Sequence, residues 1–385
     1  TGTSANDHFG YSVAINESGD RIAVGATQND PLWQIPYWWK TSEVGYQEPG
    51  YVSIYDYDGS NWIKVADFVG SAFKDKFGTS LDFNSAGDVL VVGAHRNDGQ
   101  AGTSGQTGQV KIFTLNSVNS GWTQLGNTLY GSAPDQHFGF SVAIDGIGNT
   151  LAVGAPGANG DVEECGLVTI FEYDQNTDSW SVHGDPIHGD ASHDLSGEAV
   201  DLSDDGLRLA IGAARHDGPF GVDSGQIRVF DYVNGSWTKN GSDIDGETDT
   251  HRVGGTIALS GDGTRLFSAE RRWSVDNDSV SGPSVGRVRL FQDTLLYGGQ
   301  SDYDSLLAER DALPTQAAYD AVVAERDALP TQAAYDAVVA ERDSKFTLDE
   351  IKDLRPSTTM IEVQNGEATI QLDMHQSNDL QAWSK

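Results

Sequence analysis

Over about the first 299 residues, short apolar runs alternate with clusters of Gly, Asn, Asp and Ser. Ser12 to Ile15 and Arg21 to Ala26 alternate or run apolar for a strand's length and are bounded by turn residues, which predicts two short β-strands. The segment between them, Asn16 to Asp20, has hairpin chemistry, as do Asp201 to Gly206 and Ser260 to Gly263. Val52, Ile54 and Tyr55 predict a third strand, and Trp62 with Val65 a fourth.

This unit repeats. HFGYSVAINESGDRIAVGA at 8–26 recurs as KFGTSLDFNSAGDVLVVGA at 76–94 and HFGFSVAIDGIGNTLAVGA at 137–155. Weaker copies lie at 194–213 and 252–270, and the spacing is about 60 residues. Each copy is followed by a second pattern: GYVSIYDYDGSNW at 50–62, GQVKIFTLNSVNSGW at 108–122, GLVTIFEYDQNTDSW at 166–180 and GQIRVFDYVNGSW at 225–237. The fifth, GRVRLFQ at 286–292, has no following tryptophan. Four antiparallel strands repeated radially make the blade of a β-propeller, whereas a sandwich has no reason to repeat its sequence. Gly25-Ala26 and its counterparts are expected to be small because blades crowd towards the central axis. Trp62, Trp122, Trp180 and Trp237 recur once per blade, which predicts inter-blade packing rather than a binding site. The same register argument assigns His8 and His137, each before Phe-Gly, to structure. TLLYGG at 294–299 resembles TLYGS at 128–132 and predicts a shortened fourth strand for blade five. The alternative places further blades upstream of Thr1.

The FG start followed by a VGA strand resembles the FG-GAP repeats of integrin-alpha-like propellers. The resemblance spans roughly residues 1–300 and implies an all-β propeller. It also implies calcium in the hairpin before the VGA strand, in a D-x-N-x-D-G pattern closed by a further Asp. Here the closing position holds Arg21, Val89, Thr150, Arg208 and Arg265, and the loops are short. Calcium needs six to eight oxygens. Asp201, Ser203 and Asp205 are the best remnant, beside Arg208. The fold is therefore carried over without its calcium sites, and no cofactor is expected, calcium staying open as an alternative although the loop ligands are largely absent.

The pattern changes after Gly299. Residues 303–318, 319–334 and 335–344 form a near-perfect 16-residue repeat of YDAVVAERDALPTQAA type, rich in helix formers. Tyr319, Val322 and Val323 make an apolar stripe little more than one turn long, ended by Arg326. Sixteen residues advance a helix by about 1,600°, which swings that stripe to the opposite side at each repeat. Pro314 and Pro330 break a continuous helix as well. Short helices need a partner in water, so residues 300–345 are expected to form a self-associating helical stalk, with a solvated linker as the alternative. The stalk resembles those of surface proteins from marine bacteria and fibre proteins of algal viruses. Residues 346–385 resemble the start of the small module that follows such stalks. Their 348–354 part predicts a helix turn, and MIEV (360–363) and ATIQLDM (368–374) predict a hairpin about Gln364-Asn365-Gly366. The expected organisation is thus a propeller at 1–299, a stalk at 300–345 and a helix-plus-hairpin module at 346–385.

Charge narrows the partners. With 57 acidic against 24 basic residues, the formal net charge is −33. Such a surface repels phosphate backbones and anionic lipid, so neither nucleic acid nor direct membrane insertion is expected. No apolar stretch reaches the roughly 18 residues of a membrane span. The chain starts without methionine and without a signal peptide, which suggests processing or truncation upstream. The single cysteine, Cys165, cannot form an internal disulfide. It follows Glu163 and Glu164, an unfavourable setting for a thiolate, and is expected to be a small unpaired residue at a strand start.

No P-loop, dinucleotide fingerprint, HExxH or nucleophile elbow occurs. His183, His188 and His193, spaced by five, are expected to be solvated loop residues rather than a metal site. The chain is therefore not expected to be an enzyme, and a propeller hydrolase is the least favoured reading. Two segments carry binding chemistry. The loop 27–49 contains Trp33, Tyr37, Trp38 and Trp39, with Tyr46 nearby; rigid amphipathic aromatics suit a sugar, a protein partner or a neighbouring subunit, although packing on the propeller itself is equally open. Arg271, Arg272 and Trp273 form a local basic spot in the equivalent loop of blade five, which lies beside blade one if five blades close the ring. The leading expectation is an extracellular or cell- or virion-surface structural protein, a fibre or appendage subunit with a propeller head and oligomeric stalk. A glycan- or protein-binding adhesin acting through the aromatic loop is the alternative.

Overall fold

The computed structural model describes residues 2, 7–28, 49–72, 74–99, 105–116, 121–270, 286–292, 360–364 and 367–371. The chain divides into two units, Thr1–Leu307 and Ala308–Lys385. No α-helix occurs among the described residues, and the expected stalk lies outside them.

The first unit is a five-blade β-propeller. Blade one comprises β1 (Phe9–Ile15), β2 (Arg21–Ala26), β3 (Tyr51–Tyr57) and β4 (Trp62–Val69). Blade two comprises β5 (Leu81–Phe83), β6 (Val89–Ala94), β7 (Gln109–Asn116), β8 (Gly121–Gln124) and β9 (Leu129–Tyr130). Blade three repeats this with β10 (Ser141–Ile144), β11 (Thr150–Ala155), β12 (Leu167–Asp174), β13 (Ser179–Val182) and β14 (Ile187–His188). Blade four comprises β15 (Ala199–Leu202), β16 (Arg208–Ala213), β17 (Gln226–Val233) and β18 (Ser236–Asp245). Blade five shows β19 (Ile257–Leu259), β20 (Arg265–Glu270) and β21 (Arg287–Gln292). Its expected fourth strand lies outside the described residues. Neighbouring strands within each blade are antiparallel, and the inner strands β1, β5, β10, β15 and β19 follow one another from blade to blade. In blades two and three the outer strand is broken, so β9 and β14 return separately to the start of the third strand. In blades one and four it runs through, with a bulge.

The hydrophobic core lies in the seams between blades. Between blades two and three, Val91, Val110 and Ile112 meet Val142, Ile144, Leu151, Phe171 and Trp180. Between blades three and four, Ala152, Val168 and Ile170 meet Leu202, Leu209 and Phe230. The alternation along each strand thus buries both faces of an interior blade: one set of residues packs on the blade before, the other on the blade after.

The two glycine-bearing motifs meet across these seams. Gly25, Gly93, Gly154 and Gly212, which precede the last residue of the second strand, press against Gly78, Gly139, Gly197 and Gly254 of the following blade, and a Cβ on any of the first four would overlap the backbone of its partner. The small residues are therefore explained by blade-to-blade backbone approach rather than by crowding at the axis. Ser12, Ser80 and Ser141 reinforce three seams, donating from Oγ to the carbonyls of Gly78, Gly139 and Gly197 at 2.6, 2.8 and 2.8 Å. The residue before each such Phe-Gly-type step has a left-handed backbone: His8, Lys76, His137, Leu195 and Arg252 all have φ between 53° and 58°. That constraint is on the backbone, and four different residue types meet it, so what recurs at His8 and His137 is a backbone position.

In the second unit, β22 (Met360–Gln364) and β23 (Glu367–Gln371) form an antiparallel hairpin in which Gln364 pairs with Glu367. This leaves a two-residue connection at 365–366, as the Asn-Gly pair predicts. The expected helix turn at 348–354 lies outside the described residues.

Candidate functional site

The strand order places the connections between second and third strands, together with the blade-to-blade loops, on one side of the propeller. The short hairpin turns between first and second strands lie at the other end of those strands. The described ends of β2 and β3 and of β20 and β21, between which the two sequence-predicted segments fall, lie on that side. Trp33, Tyr37, Trp38, Trp39 and Tyr46 lie outside the described residues, as do Arg271, Arg272 and Trp273. What the structure describes is the base of each.

The aromatic loop leaves from Gln28, whose N–H donates to the Asp7 carbonyl at 3.1 Å. It returns at Pro49, whose carbonyl accepts from Phe77 N of blade two at 2.9 Å. Buried Asp7 accepts from Tyr51 Oη at 2.8 Å and from Phe9 N at 3.0 Å, and the Phe9 and Tyr51 rings stack at 6.1 Å. Both ends are thus tied to blade cores. The same position carries a buried polar residue in every blade: Asp75, Gln136, Asp194 and His251. Asp75 accepts from Ser71 N, Ala72 N and Asn97 Nδ2, and Gln136 accepts from Ser132 N and Ala133 N. These residues knit the blade-to-blade loop onto the propeller face.

The second segment departs from Glu270, which replaces the small residue ending the second strand in the other blades. Its carboxylate is fully buried, paired with Arg287 Nη2 at 2.8 Å and with Arg289 Nε. Glu247 bridges the same two arginines from the blade-to-blade loop at 3.0 and 3.2 Å. Burial holds the neighbouring His251 below the ordinary imidazole range. In blade four, His216 donates from Nδ1 to the buried Asp194 carboxylate at 3.0 Å, and this hydrogen bond raises its pKa despite partial burial. In blade two, burial drives His95 down to about 3, with His137 adding a repulsive contribution. Arg287, Arg289 and Glu247 have no signal in a motif search, because they matter only once two separate strands and a loop converge.

The three histidines spaced by five do not share a site. His183 packs on Tyr232 with ring centroids 4.2 Å apart, His188 pairs in β14 with Leu167, and His193 meets Glu164 at 3.0 Å. No group of three or more His, Cys, Asp or Glu side chains suited to a metal occurs among the described residues. Cys165 is fully buried two residues before β12, as a small core residue near a strand start.

The hairpin turns do not fit calcium. Asn16 Nδ2 donates to Ser18 Oγ and Asp20 Oδ1 at 2.9 and 2.8 Å, and Asn84 Nδ2 donates to Asp88 Oδ1 at 2.8 Å, so the oxygens serve the turn itself. At the closing position Arg21 makes a two-pronged pair with Asp56 at 2.6 and 2.7 Å and donates to Gly87 O of blade two at 2.8 Å. Arg208 does the same with Asp231 and with Gly263 O of blade five. A guanidinium thus stands where a cation-binding carboxylate is needed, and it joins one blade to the next.

Two inner-strand carboxyls are out of the ordinary. Asp82 accepts from Ile144 N of blade three at 2.8 Å, and Asp201 from Leu259 N of blade five at 2.6 Å. Each caps an inner strand of the next blade. Both keep some accessible surface, yet they are walled in by strands. Desolvation pushes Asp82 up to about 8, with Asp201 repelling it, and Asp201 up to about 6. A carboxyl raised in the folded state binds a proton there that the unfolded chain has already released, so stability falls as pH rises from the ordinary carboxylate range towards 8. Asp82→Asn is expected to match the native chain near pH 4, to melt higher at pH 8.5 and to flatten the profile between. Thermal melts over that range check this, and parallel curves would overturn it.

The FG-GAP repeat family matches residues 1–34, which contain β1, β2 and the first hairpin turn. A comparison with curated proteins gives no match. The family match and the five blades together support an FG-GAP β-propeller protein, a repeat class typical of surface and adhesion-type proteins. No helix among the described residues is long and apolar enough to cross a membrane.

Proposed function

We propose that this chain is a structural and adhesive protein of an extracellular surface, a fibre or appendage subunit that presents the propeller as a head on an oligomeric stalk at 300–345. The observation that supports it is the use made of buried and half-buried polar groups: Asp7, Asp75, Gln136, Arg21, Arg208 and Asp82 all tie strands, loops or blades together. They build a rigid platform under the loop-bearing side. Rigid scaffolds carrying long loops are the usual setting for binding, and the aromatic loop is the longest on that side with rings enough for a glycan or protein surface. On this reading the chain has no catalytic role and binds neither nucleic acid nor lipid.

The test uses glycan arrays and cell-binding assays on the full chain. Trp38→Ala and Trp39→Ala are expected to abolish binding with unchanged melting. Deleting 300–345 is expected to lower the mass of the assembly by light scattering. Full binding by the tryptophan variants, or an unchanged mass on deletion, would count against the loop and the stalk respectively.

A further inference from the structure

The tripeptide Asn-x-Ser/Thr, with x other than Pro, accepts N-linked glycans and belongs to surface loops of secreted chains. The sequence holds four such tripeptides: Asn16-Glu17-Ser18, Asn234-Gly235-Ser236, Asn240-Gly241-Ser242 and Asn277-Asp278-Ser279. The last lies outside the described residues. The fold sorts the other three, because an asparagine can carry a bulky sugar only where its amide is not already in use.

Asn16 is in use. It is buried in the β1–β2 turn, and both ends of its amide hold that turn together. Oδ1 accepts from Asp20 N and Arg21 N at 3.1 and 2.9 Å, and Nδ2 donates to Ser18 Oγ and Asp20 Oδ1 at 2.9 and 2.8 Å. The side chain also lies against Gly87 of blade two, where an added Cβ would be 2.7 Å from the Asn16 Cβ. Asn240 is half-buried within β18 and donates from Nδ2 to Asp231 Oδ2 at 2.7 Å. The same carboxylate holds Arg208, which reaches on to blade five. A sugar on either amide would displace these contacts.

Asn234 is the opposite case. Val233 pairs with Ser236, so Asn234 and Gly235 alone form the tip of the β17–β18 hairpin. Their φ values of 53° and 88° are both positive, as a type I′ connection requires. Asn234, Gly235 and Ser236 are all exposed, and neither polar side chain bonds to a described residue. A Cβ built on Gly235 meets nothing within 4 Å, so the space around the tip is open.

We infer that Asn234 is an N-glycosylation site and that the fold excludes Asn16 and Asn240 from that role. The donor is an oligosaccharide carried on a polyprenyl diphosphate. Asn234 Nδ2 forms the bond to the anomeric carbon and loses one proton to a base of the transferase. The bond from that carbon to the diphosphate oxygen breaks, and the polyprenyl diphosphate leaves with the electron pair. The strand order puts residues 234–235 at the same end of the blade as the short hairpin turns. A glycan there stands away from the loop-bearing side and leaves its loops clear. The inference rests on the extracellular reading in one respect: the chain must pass through a compartment that holds the transferase.

The test supplies that compartment, so its failure is separate from failure of the extracellular reading. The full chain, carrying Asn277→Gln and a cleavable secretory leader, is expressed in a eukaryotic host, and glycopeptides of the folded secreted protein are mapped by mass spectrometry. The expected result is a glycan on Asn234 and none on Asn16 or Asn240. It is lost in Asn234→Gln and Ser236→Ala, kept in Ser236→Thr, and its enzymatic removal leaves the melting temperature unchanged. An unmodified Asn234, or a glycan on Asn16 or Asn240 of the folded chain, would overturn the inference. Should the host retain the chain, protein purified from bacteria is given a purified oligosaccharyltransferase and the same donor, and the map is read in the same way.

Discussion

Gly154→Ala is expected to destabilise the propeller by about 3 kcal/mol or more, far beyond the usual cost of adding one methyl group. Gly154 is the point where blade three touches blade four. An added Cβ there overlaps Gly197 O, which is backbone, and Ser141 Oγ, which is already donating to that same carbonyl at 2.8 Å. Neither can step aside without parting the blades. The backbone at Gly154 is not left-handed, so the cost is steric rather than conformational. Gly255→Ala is the control. A Cβ there meets only ordinary van der Waals neighbours, the Ala214 methyl and the Arg252 carbonyl, and its φ is also unexceptional. That variant should stay within about 0.5 kcal/mol of the native chain. Denaturant unfolding of both decides the matter, and equal midpoints would refute the seam account.

Trp180→Ala is expected to cost about 3–5 kcal/mol, and Trp62→Ala about 1 kcal/mol or less. The two tryptophans occupy the same place in their blades, but Trp180 is 4% exposed and Trp62 41%. Trp180 fills the seam between blades two and three and donates from Nε1 to the Leu125 carbonyl of the preceding blade at 3.2 Å. Trp237 repeats this contact with the His183 carbonyl at 3.1 Å, and Trp122 packs into the seam behind blade one beneath Arg21. Trp62 packs on Tyr57 of its own blade. Equal losses at both sites would show that the residue works within its blade and not between blades.

Much of the blade was legible from residues alone. The second strand at Arg21–Ala26, the inter-blade role of three tryptophans and the structural role of His8 and His137 follow from recurrence in register. Recurrence is informative because every blade solves the same packing problem. The broken outer strands β9 and β14 were not legible, since strands of two residues carry no periodicity. Nor were Asp82 and Asp201: in the sequence they alternate with Ala14, Ala143 and Ala258 at one strand position, and only the neighbouring blade supplies the N–H that each caps. The ion network of Glu247, Glu270, Arg287 and Arg289 joins residues from separate strands and a loop, which no local pattern anticipates.

The repeated motifs by themselves determined the fold class, the blade period and the poor fit to calcium, because these depend on local alternation, turn chemistry and the presence or absence of oxygen donors. The tertiary structure alone decided what the glycines are for, which aspartates are forced to hold protons and which apolar faces are covered. Those properties arise where one blade meets the next. A residue such as Val13 reads the same as Val142 along the chain, and only the sheet packed against Val142 makes that residue core.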